Sequence, residues 1–375
     1  MSRLSKPLRI TLFSLLGVFL VALGGFIFIG TNPAAAAQFT DTVLRPILGD
    51  QRVIALEGHY FDLRDRLNQK IYARKPIDTG SYAATTPPPS APPTTQTATS
   101  TFATPSPTPV SSPIPLQVTS FSPLANEGMW QPAGEPGLER TFIRTDPTRS
   151  YSVVTLLKID QNTLRIGAVA GTHFPGGPAG PGKVPAAIQQ SGKLIAAFNG
   201  GFQEKDGHYG MVVGSTTYVP LRKGLGTVFI DANNHATIGT YTGTLDANLQ
   251  AVRQNGPLIV SGGKISSQIG NDYLWAGTAS GNFITWRSGL GQLPDGSLVY
   301  AVGPSLTPTA LATAFQAAGV VNAIELDVNT FWVRCMLYTP TATGYTSTKL
   351  LQDLADGGTP YLNGYEKDFF YLYQQ

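Results

Sequence analysis

Residues 322–332 read NAIELDVNTFW. Two carboxylates and an amide, Glu325, Asp327 and Asn329, alternate there with Ile324, Leu326 and Val328. Alternate side chains of an extended chain share a face, so the run predicts a strand with three polar groups on one side. A sheet with one wet face gives the same pattern with no chemistry attached. Against that reading, the local run holds no base, and the preceding AGVV reads as buried on both sides. Two close carboxylates raise each other's pKa, which suits acid/base or water-activating work. A divalent cation held by the three oxygen ligands is a further alternative, although the spacing matches no known cation loop.

Other polar groups sit in similar settings. Asn199, Gly200 and Gly201 end the apolar run KLIAAF. A Gly pair there either makes a turn needing positive φ or lets backbone amides approach an anion or a sugar. Arg287 lies in FITWRSGLG. A guanidinium buried in such a run needs an anionic partner: Glu325 or Asp327 in a structural ion pair, or a substrate phosphate held bidentately. Arg253 and Asn255, in AVRQNGPLIV, form a polar break before a strand. His173, His208 and His235 fall in turn-like stretches where exposure is expected. Cys335, in FWVRCMLY, reads as a buried thiol, and a lone cysteine excludes a disulfide within the chain. No HExxH, CxxC, Walker or GxSxG pattern occurs, and GGPAGPG at 176–182 is too irregular for a dinucleotide loop. No metal and no cofactor is expected.

The elements that must position these groups are strands and two short helices. SYSVVTLLKID and TLRIGAVAG predict a strand pair turning at Gln161 and Asn162. TVFIDANNHATIGTY predicts a hairpin at 232–234, and GPLIVSGGKI a strand–turn unit. Helices are expected at 183–192, with Pro185 in the first turn and Gly192 as cap, and at 307–319, with Thr307 capping, Pro308 at N1 and Gly319 beyond the last turn. GSLVYAVG before the second helix makes 297–329 a β-α-β unit. Sites in open α/β sheets lie at the carboxyl ends of such strands, which points to Asn199-Gly200-Gly201 and Asp327/Asn329. The fold class expected is α+β (mixed α/β): a mixed, largely β sheet with a few packed helices.

The N-terminal third is organised differently. Residues 1–9 read as a cytoplasmic tail, and Ile10 to Gly30 is an uncharged run long enough to span a bilayer core. The competing reading is a signal peptide cleaved within NPAAAAQ at 32–38. Either way, the bulk of the chain is expected outside the cytoplasm, held to the membrane or, after cleavage, secreted. Residues 39–78 read as an amphipathic juxtamembrane helical segment, with Val53, Leu56, Tyr60, Leu63, Leu67 and Ile71 at three- and four-residue steps. Residues 79–116, rich in Pro, Ser and Thr, read as a disordered linker. Residues 117–375 form the expected globular domain. The formal charge of +3 comes entirely from Arg3, Lys6 and Arg9. No basic patch interleaved with aromatics appears, so no nucleic-acid partner is expected. The oligomeric state is left open.

Taken in order, LIAAFNGGF, AVRQNGPLIVSGG, TWRSGLGQLPDGSLVYAVG and GVVNAIELDVN resemble the phosphodiester glycosidase domain family. The resemblance covers about 151–338 and is best over 193–330. It implies a hydrolase that cleaves a sugar from a sugar-1-phosphodiester without a nucleotide cofactor, here acting on cell-envelope or exopolysaccharide glycans. By match it puts Asp327 in the place of the family's aspartate, Asn199, Gly200 and Gly201 in the place of its Asn-Gly turn, and Arg287 in the place of its arginine. The residues themselves add Glu325 as a second carboxylate sharing acid/base duty with Asp327, and Arg253, Asn255 and Asn329 beside Asn199, Gly200, Gly201 and Arg287 as expected ligands of the glycosyl-phosphate substrate. The family's Asn-Leu-Asp-Gly-Gly motif reads Glu325-Leu326-Asp327-Val328-Asn329 here, so its Gly pair is absent. A non-catalytic glycan-binding protein on the same fold is the alternative.

Overall fold

A computed structural model describes residues 25, 39–72, 111–270, 273–276, 284–328, 331–354 and 360–375. Six strands carry the candidate site: β1 (Leu194–Asn199), β2 (Leu249–Gln254), β3 (Thr285–Gln292), β4 (Leu298–Leu306), β5 (Asn322–Val328) and β6 (Phe369–Gln374). Three helices matter to it or to its frame: α1 (Asp50–Tyr72), α2 (Ala186–Ser191) and α3 (Pro308–Ala317).

The strands form three antiparallel sheets. The eight-stranded sheet centres on β4-β3-β5, with Val154–Ile159 beside β4 and Val260–Ser261 beside β5. In one five-stranded sheet β2 lies between Met211–Val213 and Gly226–Asp231. In the other, β6 lies between β1 and Leu164–Val169. Leu157, Leu290 and Tyr300 of the first, Val228 and Ile230 of the second, and Phe198 and Phe370 of the third share one buried cluster. The core is where the three sheets face each other.

Local chemistry explains the elements. Thr307 caps α3 by accepting from the Ala310 amide, Pro308 occupies the first turn, and Gly319 leaves the helix at φ 79°. Phe315 of α3 presses on β3 where Gly289 and Gly291 stand; a Cβ at either would come within 2.9 Å of its ring. Pro185 turns out to be the cap residue of α2 rather than part of its first turn, while Gly192 takes the left-handed cap as expected. The hairpin at 232–234 and the Gly262-Gly263 turn also form as read.

One expectation about connection fails. The strands at Val154–Ile159 and Leu164–Val169 do not pair; they belong to different sheets. Asp160 accepts from the Asn162 amide and the Thr163 hydroxyl, folding a tight corner that carries the chain from one sheet to the next. The β4-α3-β5 unit does form, but β3 lies between its strands and is antiparallel to both. The sheet is antiparallel throughout its pairings rather than mixed.

The membrane expectation is also corrected. Among the described residues no helix is long and apolar enough to cross a membrane. The run at 10–30 lies outside them save for Gly25. The long helix that is described, α1, carries Arg52, Arg64, Asp65, Arg66 and Lys70 along its length. What the structure supports is a mixed α/β fold dominated by sheet. It gives no support to a single-pass topology, a membrane partner or a location inferred from them. The linker expected at 79–116 lies outside the described residues up to 110, and Ile114 is already buried in the domain.

Helix α1 is tied to the domain through a charge, and Val53 of its apolar stripe is buried. Asp65, 6% exposed, pairs with Arg149 at 2.9 Å and accepts from the Tyr151 hydroxyl at 3.0 Å. Leu56, Leu63 and Leu67 remain exposed.

Candidate active site

The carboxyl ends of β1 and β5 meet although they belong to different sheets. The Asp327 amide donates to the Gly200 carbonyl at 3.0 Å, and the Asn199 amide donates to the Arg334 carbonyl at 3.0 Å. A register shift between β3 and β5 leaves Leu326 and Asp327 together opposite Ser288. Such a bulge re-aims a side chain, so strict alternation along 324–328 is broken. Glu325 and Asp327 therefore end at different cations.

Asp327 is 3% exposed, and its Oδ2 receives the ammonium of Lys367, which precedes β6 and is 2% exposed. Its Oδ1 accepts from the Val328 amide at 3.1 Å. Burial pushes the Asp327 carboxyl up to about 6; Lys367 opposes that shift, while the charges of Asp368 and Asp206 add to it. Glu325 is fully buried against Arg287 at 2.7 Å. Arg287 also donates to the Leu306 and Trp275 carbonyls, each at 3.0 Å. Of the partners the sequence left open for Arg287, Glu325 is the one it takes.

A third buried pair lies beneath the Gly turn. Arg253 donates Nε to Asp368 at 2.7 Å and Nη2 to the Phe202 carbonyl at 2.7 Å. Asp368 in turn accepts from the Gly201 amide at 3.2 Å. Asn255 accepts from the Phe202 amide at 3.1 Å and donates to the Glu325 and Leu326 carbonyls at 2.6 and 3.1 Å. It thereby ties the turn to β5. Asn199 donates to Ser288 Oγ at 2.8 Å and accepts from the Tyr300 hydroxyl at 2.9 Å. Ser288 passes the chain on to the Asp327 carbonyl at 2.8 Å.

Neither Gly200 nor Gly201 has a positive φ. The pair is needed for space: a Cβ on Gly200 would sit 1.9 Å from Asp368 Oδ2, and one on Gly201 3.1 Å from the Arg253 guanidinium. Gly200→Ala is expected to cost about 1–3 kcal/mol through overpacking, read as a lower denaturant midpoint. An unchanged midpoint would show that the Asp368 carboxylate can give way.

Asn199, Gly200, Gly201, Arg253, Asn255 and Asp327 thus converge, and Arg287 with Glu325 forms an adjoining, separate pair. Asn329 lies outside the described residues. Lys367, Asp368, Ser288 and Tyr300 were not singled out from sequence. EKDFF was the available signal for the first two: adjacent charges directly before an apolar strand, in a chain only 13% charged. Half-buried Trp332 stands over Lys367, its ring centre 4.6 Å from the ammonium, and packs against Phe174 and Phe331. Among the described residues no group of three or more His, Cys, Asp or Glu is placed to hold a metal ion. Cys335 is wholly buried in the core, and burial raises its thiol pKa well above the usual range.

The raised Asp327 carboxyl has a consequence for stability. The folded state holds that proton to higher pH than the unfolded chain does. The stabilisation is full below about pH 4 and is lost as pH rises through about 6. Relative to Asp327→Asn, the wild-type protein is expected to lose up to about 3 kcal/mol across that window. Denaturant titrations of both proteins at pH 4 and pH 7 measure it, and parallel curves would contradict the assignment.

Residues 192–327 match the phosphodiester glycosidase family model, so the resemblance read in the sequence is shown. No curated protein matches the chain. Among solved structures, the zebrafish N-acetylglucosamine-1-phosphodiester alpha-N-acetylglucosaminidase catalytic domain, auto-inhibited by its pro-peptide, is 12% identical. That match covers 65% of this chain and 85% of that one, with a TM-score of 0.42. A hypothetical protein from Synechocystis is 10% identical over 64% of this chain and 62% of that one, with a TM-score of 0.34.

Proposed function

We propose that this domain hydrolyses glycosyl-1-phosphodiesters, the chemistry for which the family it resembles is named. The observation that carries the reading is the placement of Asp327. A buried carboxyl with a pKa near 6 stands where the Asn199-Gly200-Gly201 turn meets the end of β5. A carboxylate poised near neutrality is suited to removing a proton from water. Water oxygen bonds to the anomeric carbon, the C1–O bond to phosphate breaks, Asp327 takes the water proton, and the phosphomonoester leaves. Phosphate is a good leaving group, so water activation matters more than acid assistance. Asn199, Ser288 and Tyr300 position the β5 end from below. Arg287 and Glu325 act in this reading as a structural pair rather than as phosphate ligand and second acid.

The test is release of reducing sugar from a GlcNAc-1-phosphodiester by the purified protein. No turnover across a panel of sugars would sink the reading. Glu325→Gln is expected to leave kcat within about tenfold of wild type, since its carboxylate serves Arg287; a thousandfold loss would return it to the chemistry.

A second reading is a domain that binds glycan without cleaving it. The observation favouring it is that Lys367 and burial close over Asp327. Saturable binding of a phosphodiester sugar with no product would decide for it.

A further inference from the structure

Three buried cations surround this site, and they differ in how far they are committed. Arg253 is held by Asp368 and by the Phe202 and Gln254 carbonyls. Arg287 is held by Glu325 and by the Leu306 and Trp275 carbonyls. Each guanidinium has its fork directed inward at protein oxygens. Lys367 is different. Among the described residues its ammonium donates to one oxygen, Asp327 Oδ2, and otherwise faces the Trp332 ring. An ammonium has three donors; Asp327 takes one, and the aromatic face attracts the cation without supplying an oxygen acceptor.

Its surroundings lead outward. Trp332, Phe331 and Phe174 are half-buried, so the aromatic group over Lys367 reaches the surface while Lys367 itself does not. The Phe174 and His173 amides both donate to the Glu366 carbonyl, holding that loop beside Lys367. Three carboxylates bear on the spot. Asp368 is occupied by Arg253, Asp206 accepts from the Gln203 amide at 3.1 Å, and Asp327 is the partner of Lys367.

The geometry points to Lys367 as the residue that recognises the phosphate of a sugar-1-phosphodiester, leaving Asp327 for a non-bridging oxygen when the substrate enters. This deepens the proposed function and rests on it for the identity of the sugar substrate. Lysine serves phosphate as a mobile point charge, whereas a bidentate arginine is fixed in place. The exchange has a chemical consequence. Asp327 loses its counter-charge while Asp368 and Asp206 stay near, so it takes up a proton more readily once substrate is bound. A neutral glycoside offers Lys367 no reason to leave Asp327, so the anionic aglycone is selected. The phosphate contact expected of Arg287 passes to Lys367.

The test compares wild type, Lys367→Met and Lys367→Arg in the full chain. Binding of inorganic phosphate and of glucose 1-phosphate is measured by calorimetry. KM and kcat are measured for a GlcNAc-1-phosphodiester and for the 4-nitrophenyl glycoside of the same sugar. Lys367→Met is expected to weaken phosphate binding at least tenfold and to raise KM for the phosphodiester at least tenfold. KM for the aryl glycoside should stay within twofold, and Lys367→Arg should recover most of the loss. Equal losses of kcat on both substrates with KM unchanged would reduce Lys367 to a prop for Asp327 and overturn the inference. Wild-type protein that binds no phosphate would overturn it as well.

Lys367→Met leaves Asp327 buried without its cation, so a measurement on the unaltered lysine is needed beside it. Phosphate should change the tryptophan fluorescence of the wild-type protein as Lys367 leaves the Trp332 ring, and Trp332→Phe should abolish that change. A response that persists in Trp332→Phe contradicts the exchange. Phosphate binding that depends on Lys367 without turnover of any phosphodiester would end the proposed hydrolase and leave the anion site standing.

Discussion

Asp327→Asn is expected to lower kcat on a glycosyl-1-phosphodiester by about 10²–10⁴-fold, the range of positioned acid/base groups. The amide oxygen still accepts from the Val328 amide, so the end of β5 keeps its shape. What is lost is the proton acceptor and the charge that Lys367 faces. KM should not rise if Asp327 acts on water rather than on binding, and should fall where loss of its charge frees Lys367 for phosphate. The wild-type kcat/KM should also climb as pH rises through about 6, because the carboxyl of the free enzyme must give up its proton to serve as base. That rise should be absent from whatever activity remains in the variant. Full activity in Asp327→Asn would remove this residue from the chemistry. A rate that falls through pH 6 would recast it as the acid.

Arg253→Met should be the most damaging single change to stability. It strands Asp368 at 1% exposure and cuts the tie to the Phe202 carbonyl. Breaking a buried pair from one side costs about 3–5 kcal/mol. For a domain of this size, each kcal/mol is worth roughly 2–4 °C in Tm, so a fall of about 10 °C is expected by calorimetry. Arg253→Met combined with Asp368→Leu should recover much of it, because no orphan charge remains. A drop under about 2 °C in the single variant would show that water reaches the pair.

Much of this was readable from residue order. The cap at Thr307 and the turn at Asn234 follow from local rules acting on short stretches, and Asn199 and Asp327 stand out as polar strand ends, although their meeting across two sheets does not. What was not readable came from sheet assignment and long-range charge pairing. Alternation placed Glu325 and Asp327 on one face, and a bulge opposite Ser288 separates them. Nothing within 322–332 specifies that bulge. Lys367 and Asp368 lie 40 and 115 residues from Asp327 and Arg253, and only the pairing of β6 with β1 brings them in. The hydropathy of 10–30 suggested an anchor, whereas the long helix described in the structure is charged and seated by Asp65.

The pairing of β6 between β1 and Leu164–Val169 also bears on how the protein is made. The two flanking strands are synthesised about 170 and about 200 residues before their shared partner. At ordinary translation speeds of about 5–20 residues per second, the interval is roughly ten to forty seconds. Throughout it, two strand edges wait open to stray pairing. Lys367 and Asp368 arrive with that same strand, so the buried charges of β5 and β2 have no counterpart until it is made. The nascent chain therefore carries both open edges and unpaired charges until β6 is delivered, and that interval is when stray strand pairing is most favoured.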